Sequence, residues 1–201
     1  MQPIILASKS PRRKKLLEQI NLKFTVQGSS AEESFDVNEQ PVDIVQMLAY
    51  RKALKVSEIC SGALIIGADT IVVFRDAVLE KPSGPAHAEQ MLSILSGNTH
   101  QVFTGVALIK KDSTGNINKS CTFVERTDVT FGRLTPEEIR KYVQTGSPMD
   151  KAGAYGIQDD WGALFVERIE GDYNNVVGFP LYRFYQKLKR FAPECLPDTL
   201  S

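Results

Sequence analysis

The run Ala63-Leu64-Ile65-Ile66-Gly67-Ala68-Asp69-Thr70-Ile71-Val72-Val73-Phe74 limits the fold more than any other stretch of the chain. Its aliphatic and β-branched side chains do not alternate with polar ones, so it reads as a strand buried on both faces. A single carboxylate interrupts it. An ionised acid among apolar strands is costly unless a cation or a metal lies beside it, so Asp69 needs a partner. A salt bridge, a loop cap, a metal-bound acid and a general base all satisfy that requirement.

The flanking sequence supplies the helices that cover such a strand. Ile4-Ile5-Leu6-Ala7 reads as a short buried strand, and Ser10 followed by Pro11 as an N-cap and first helical residue. Val45, Leu48, Ala49, Ala53 and Val56 recur at helical spacing within 42–58, with Lys52 on or beside their stripe. A helix is predicted over 86–95, with Gly97 as its C-cap. Strands over 101–110 and 121–131, joined through Asp112 to Asn116, make a hairpin.

Thr135-Pro136-Glu137-Glu138 is a capping-box sequence opening a helix that runs to about Val143. Strands are predicted over 162–169 and 174–177, then a helix over 181–190 with Leu181, Phe184, Tyr185 and Leu188 inside. Residues 192–201 read as a loose tail. Units of βα type mixed with hairpins give an α/β fold, a mixed central sheet flanked by helices, as one domain over 1–191.

Charge excludes one class of partner. The 201 residues hold 24 Lys and Arg against 24 Asp and Glu, which removes the whole-chain positive field used in sequence-independent duplex binding. No stable nucleic-acid binding is expected, and any anion site must be local. Cys60, Cys121 and Cys195 lie far apart with no CxxC, so free thiols in a reducing compartment are expected rather than disulfides or a zinc site. No apolar run approaches the ~20 residues that span a bilayer. The short apolar stretch after Met1 lacks a basic n-region, so no membrane association and a cytoplasmic location are expected. P-loop, Rossmann, α/β-hydrolase and HExxH motifs are all missing.

Four constellations carry chemistry. In Ser8-Lys9-Ser10-Pro11-Arg12-Arg13-Lys14-Lys15 a strand end, a hydroxyl-rich turn and a helix N-terminus meet, and helical phase turns Arg12 and Arg13 toward the core side. The same run also suits a solvated basic turn. Asp69-Thr70 is the second constellation, with Glu32, Glu33 and Lys52 able to complete it. Lys81, restricted by Pro82, clamps a phosphate or pairs with Glu80. Asp150 to Gln158, with small residues around Tyr155, is a loop able to lay backbone against a flat ligand, Gln158 both donating and accepting. His100 is read as a structural histidine bound at a turn.

Together and in this order, these stretches resemble the Maf family of nucleoside triphosphate pyrophosphatases. The resemblance rests on Leu6 to Arg13, Glu33, Lys52, Gly67 to Val72, Glu80-Lys81-Pro82, Leu95 to Val102, Asp150 to Gln158, Glu170 to Tyr173 and Asn175 to Gly178. It implies a Maf and ITPase-like fold of two lobes with a substrate cleft, a homodimer, and hydrolysis of a nucleoside triphosphate to the monophosphate and pyrophosphate with Mg²⁺ or Mn²⁺.

By the same resemblance Asp69 is the proton acceptor, Glu33 and Asp69 hold the metal, and Lys52 and Lys81 neutralise charge. Ser8, Ser10, Arg12 and Arg13 hold the triphosphate, while Arg12, Thr70 and Gln158 match base-selecting positions. Thr70 and Gln158 look like the branch acting on dTTP and UTP. A 7-methyl-GTP pyrophosphatase and a non-catalytic nucleotide-binding regulator of cell division are the alternatives. Asp159-Asp160-Trp161-Gly162 departs from the family pattern, where many members carry a shorter, less acidic Gly-rich link.

Overall fold

The computed structural model describes residues 2–159 and 161–197. In chain order it runs β1 (Ile4–Leu6), α1 (Pro11–Gln19), β2 (Thr25–Val26), α2 (Pro41–Ser57), β3 (Leu64–Phe74), β4 (Ala77–Leu79) and α3 (Pro85–Leu95). Next come β5 (Thr99–Lys111), β6 (Ile117–Phe131), α4 (Pro136–Gln144), α5 (Gly162–Phe165), β7 (Val166–Glu170), α6 (Tyr173–Val177) and α7 (Leu181–Phe191). The fold is mixed α/β, as expected.

The sheet has the order β2-β1-β3-β5-β6-β7, with β4 pairing against β3. β1 runs parallel to β2 and β3, whereas β3–β4 and β6–β7 are antiparallel, which makes the sheet mixed. The hairpin expected between β5 and β6 closes on Asp112, whose Oδ1 accepts from the Thr114 and Asn116 amides.

Helix starts follow local chemistry closely. α1, α2, α3 and α4 each begin with proline, whose fixed φ and missing N–H suit the first helical position. Ser10 Oγ accepts from the Arg13 amide, and Thr135 with Glu138 forms the reciprocal capping box. α3 closes at Ser96, and Gly97 behind it sits at φ +66°.

The chain divides into two compact units, residues 1–69, 104–125 and 178–201, and residues 70–103 and 126–177. In the first unit, Ala7, Ala49, Ala53, Val56, Ala63, Ile65, Ala107 and Ile109 form one core cluster. Its many alanines allow α2 to approach the strands closely. Two strand glycines complete the seat: a Cβ at Gly67 would lie 2.2 Å from the Ala49 carbonyl oxygen, and one at Gly105 2.1 Å from that of Val45. In the second unit the core is aromatic, with Phe131 edge-on to His100, Tyr155 and Phe165, and Tyr142 edge-on to Phe165.

Two expected strands are otherwise. The stretch read as a strand over 162–169 opens as the single helical turn α5 and becomes strand only at Val166. Spacing of three buries Gly162 and Phe165 while Leu164 is 79% exposed, and a Cβ at Gly162 would come 2.5 Å from the Gly156 carbonyl. The stretch 174–177 lies in helix α6, because Asp172 Oδ1 takes the Asn174 amide at 2.7 Å and turns the chain.

His100 also differs from its expected turn position. It is the second residue of β5 and fully buried. Part of the stretch read as a loose tail is packed: Ala192 and Cys195 are buried, and Lys110 Nζ pairs with Glu194 at 2.5 Å. Residues 198–201 lie outside the described residues.

Candidate functional site

β1 delivers the chain into the turn Ser8-Lys9-Ser10, where the backbone must satisfy free amides before α1 begins. Ser8 Oγ accepts from the Ser10 amide at 3.2 Å and from Arg13 Nη1 at 3.3 Å. Arg13 also donates through Nη1 to the Ala68 carbonyl at 2.9 Å and through Nε to the Gly178 carbonyl at 3.0 Å. The guanidinium thus ties the start of α1 to β3 beside Asp69. Arg12 and Arg13 are half-buried and Lys14 and Lys15 exposed, the division that helical phase predicts.

Asp69 has its partner. Lys52, carried on α2, places Nζ 2.5 Å from Asp69 Oδ1 and 2.7 Å from Glu33 Oε1. The Lys52 and Asp69 side chains are 12% and 14% exposed, whereas Glu33 is 63% exposed and reaches in from the segment between β2 and α2. Burial draws the Arg13 guanidinium below its ordinary pKa, with Asp69 opposing, Arg12 adding and Glu33 opposing. Ser8, Ser10, Arg12, Arg13, Glu33, Lys52 and Asp69 therefore converge in the first unit, around the junction of β1, α1 and β3.

The donor chemistry suits a hard divalent cation. Glu33 and Asp69 share one cation already, and Mg²⁺ commonly takes one or two carboxylates and fills its shell with phosphate oxygens and water. Among the described residues no cluster of three Asp, Glu, His or Cys side chains suits a metal. An ion here would have to draw on the two acids and on oxygens of a bound phosphate, not on a protein cage.

Three residues expected in the site from the sequence fall in the second unit. Thr70 follows Asp69 directly on β3 and is half-buried. Lys81 is exposed on the loop after β4. Gln158 is half-buried, its Nε2 donating to Asp159 Oδ2 at 3.1 Å.

His100 plays a structural part, as the sequence implied. Its Nε2 lies 2.8 Å from the Tyr155 hydroxyl, burial lowers its pKa to about 4, and burial also raises the Tyr155 hydroxyl. No sequence signal marks Arg13 as a framework bond, since its acceptors are main-chain carbonyls of remote residues.

Residues 3–191 match the sequence model of the family described as "Maf-like protein". The chain belongs to the Maf family. Relatives named "dTTP/UTP pyrophosphatase" from Bacillus cereus and Bacillus anthracis are each 50% identical over 191 residues, covering 95% of this chain and 96% of the relative. A solved structure, that of the Staphylococcus aureus Ham1 protein, aligns at 14% identity and a TM-score of 0.40 over 65% of this chain and 72% of that one, too distant to argue from. Of the stretches carrying the Maf resemblance, Leu6 to Arg13, Glu33, Lys52, Ala68-Asp69 and Gly178 meet in the first unit.

Proposed function

We propose that this Maf protein hydrolyses dTTP and UTP between the α- and β-phosphates, releasing the monophosphate and pyrophosphate. The observation that carries the reading is the convergence of Ser8, Arg12, Arg13 and Lys52 with Glu33 and Asp69, cations and acids gathered where α1 begins. Relatives at 50% identity named for this reaction support the choice of substrate.

The cationic members and the α1 amides bind and orient the triphosphate tail. Asp69 accepts the proton of a water whose oxygen attacks the α-phosphorus; the new P–O bond forms as the bridging oxygen leaves with pyrophosphate. Lys52, already against Asp69, and Lys81 offset charge gathering on phosphate oxygens, the dominant demand in phosphoryl transfer. Glu33 and Asp69 would hold a Mg²⁺ or Mn²⁺, which would further neutralise those oxygens. Thr70, Gln158 and Arg12 are proposed to read the base.

A homodimer and a cytoplasmic location complete the proposal. The three cysteines are free, and no helix among the described residues is long and apolar enough to cross a membrane. The deciding experiment offers dTTP, UTP, CTP and 7-methyl-GTP to the purified protein with Mg²⁺ and follows monophosphate and pyrophosphate. Release from dTTP and UTP is expected. Preference for 7-methyl-GTP overturns the substrate, and binding with intact triphosphate recovered overturns the reaction.

A further inference from the structure

The acidic departure after Gln158 has a definite geometry. Asp159 Oδ2 lies 3.1 Å from Gln158 Nε2 and 3.3 Å from Lys151 Nζ. Lys151 is 8% exposed and anchored from its own side, with Nζ donating to the Ser147 carbonyl at 2.6 Å and to Asp150 Oδ1 at 2.7 Å. The Asp159 amide donates to the Gly156 carbonyl at 3.2 Å, a turn that brings the carboxylate back over the loop. Glycine at 156 makes the room: a Cβ there would lie 2.7 Å from both Asp159 Oδ2 and Lys151 Cε.

A carboxylate facing an ammonium only accepts hydrogen bonds, so the edge of the Gln158 amide turned to Asp159 is its NH₂. Oε1 must then face away. That oxygen is buried and has no hydrogen-bond partner among the described residues. A buried carbonyl without a donor is expensive unless a ligand brings one.

We infer that Asp159, braced by Lys151, is a positioning residue that locks the Gln158 carboxamide with its oxygen presented as an acceptor, so that the site favours a base bringing a ring N–H to it. Uracil and thymine carry that N–H at N3; cytosine in the same seat brings an acceptor against an acceptor. The inference rests on the proposed role of Gln158 in reading the base, and it assigns the discrimination to the residue that departs from the family pattern.

The test compares UTP with CTP for the parental protein and for Asp159→Asn and Asp159→Ala. Either substitution frees the amide to turn over, so the UTP:CTP ratio of kcat/KM is expected to fall at least 10-fold, with the change carried by KM rather than kcat. A ratio within twofold of parental in both variants, or a parental preference for CTP, overturns the inference. A second readout needs no variant and no turnover: in the ¹⁵N spectrum of the parental protein, one Gln158 side-chain amide proton should be shifted downfield and protected from exchange. Two freely exchanging, unshifted protons overturn it. Loss of the lock with UTP hydrolysis intact leaves the proposed function standing; a locked amide in a protein that hydrolyses no triphosphate overturns that function instead.

Discussion

Lys52 Nζ lies 2.5 Å from Asp69 Oδ1, an ion pair between the stripe of α2 and the acid in the middle of β3, 17 positions apart in sequence. The pair answers the question raised by a carboxylate in an apolar strand. Glu33 shares the same ammonium, and the Arg13 guanidinium is bonded to the carbonyl just before Asp69.

Replacing Lys52 by Met should leave Asp69 without its cation in a setting only 14% open to solvent. A loss of about 2–4 kcal/mol is expected, below the top of the range for a broken buried pair because Glu33 stays wet. Urea unfolding measures it. The double variant Lys52→Met/Asp69→Asn should regain part of the loss, and an undiminished midpoint in the single variant contradicts the pairing argument.

Asp69→Asn keeps the shape and removes the proposed proton acceptor. Pyrophosphate release from dTTP is expected to drop by about 10²–10⁴-fold, the usual contribution of a positioned general base, while calorimetry still detects triphosphate binding. Turnover at the parental rate in saturating Mg²⁺ rules Asp69 out of that role.

The seat of α2 depends on two strand glycines. Gly67→Ala drives a methyl against the Ala49 carbonyl, 2.2 Å away, and overpacking of this kind costs about 1–3 kcal/mol. Because α2 carries Lys52, pyrophosphate release should fall along with the melting temperature. Gly84→Ala is the control: no atom lies within 4 Å and φ is 175°, so its effect should stay within about 0.5 kcal/mol. Equal melting temperatures for the two variants would show that the close approach does not matter.

Acid should unfold the second unit's core through His100. The folded pKa of about 4 lies below the ordinary 6.5, so the folded state resists protonation that the unfolded chain accepts. Stability from the neutral imidazole is complete above pH 6.5 and is lost as pH falls from there to about 4, by up to ~3 kcal/mol. Chemical denaturation at pH 7.5 and 4.5 should show that slope in the parental protein and a shallower one in His100→Gln; identical slopes exclude His100 as the source.

Much of the fold is legible locally. Ser10-Pro11 and Thr135-Pro136-Glu137-Glu138 specify their helix starts because the capping partners lie three residues away. β3 is legible because a long β-branched run has few alternatives. The stretches 162–165 and 173–177 are not: Gly162 packs against Gly156, and the local Asp172–Asn174 turn that opens α6 is held by Asn175 Nδ2 reaching the remote Val102 carbonyl and Thr127 Oγ1, both at 3.0 Å. Apolar content alone reads these as strand.

The residue types needed to handle a polyanion, and the demand that Asp69 find a cation, are written in the amino-acid sequence, because burial of charge is a local chemical cost. Which cation answers is decided only by tertiary structure. Lys52 meets Asp69 because alanines and glycines let α2 settle onto β3, and Arg13 reaches the Gly178 carbonyl across 165 residues because the folded chain brings the two ends together. The orientation of Gln158 is of the same kind: the sequence names an amide that donates and accepts, and only the carboxylate of Asp159 against Lys151 determines which edge is left for a ligand.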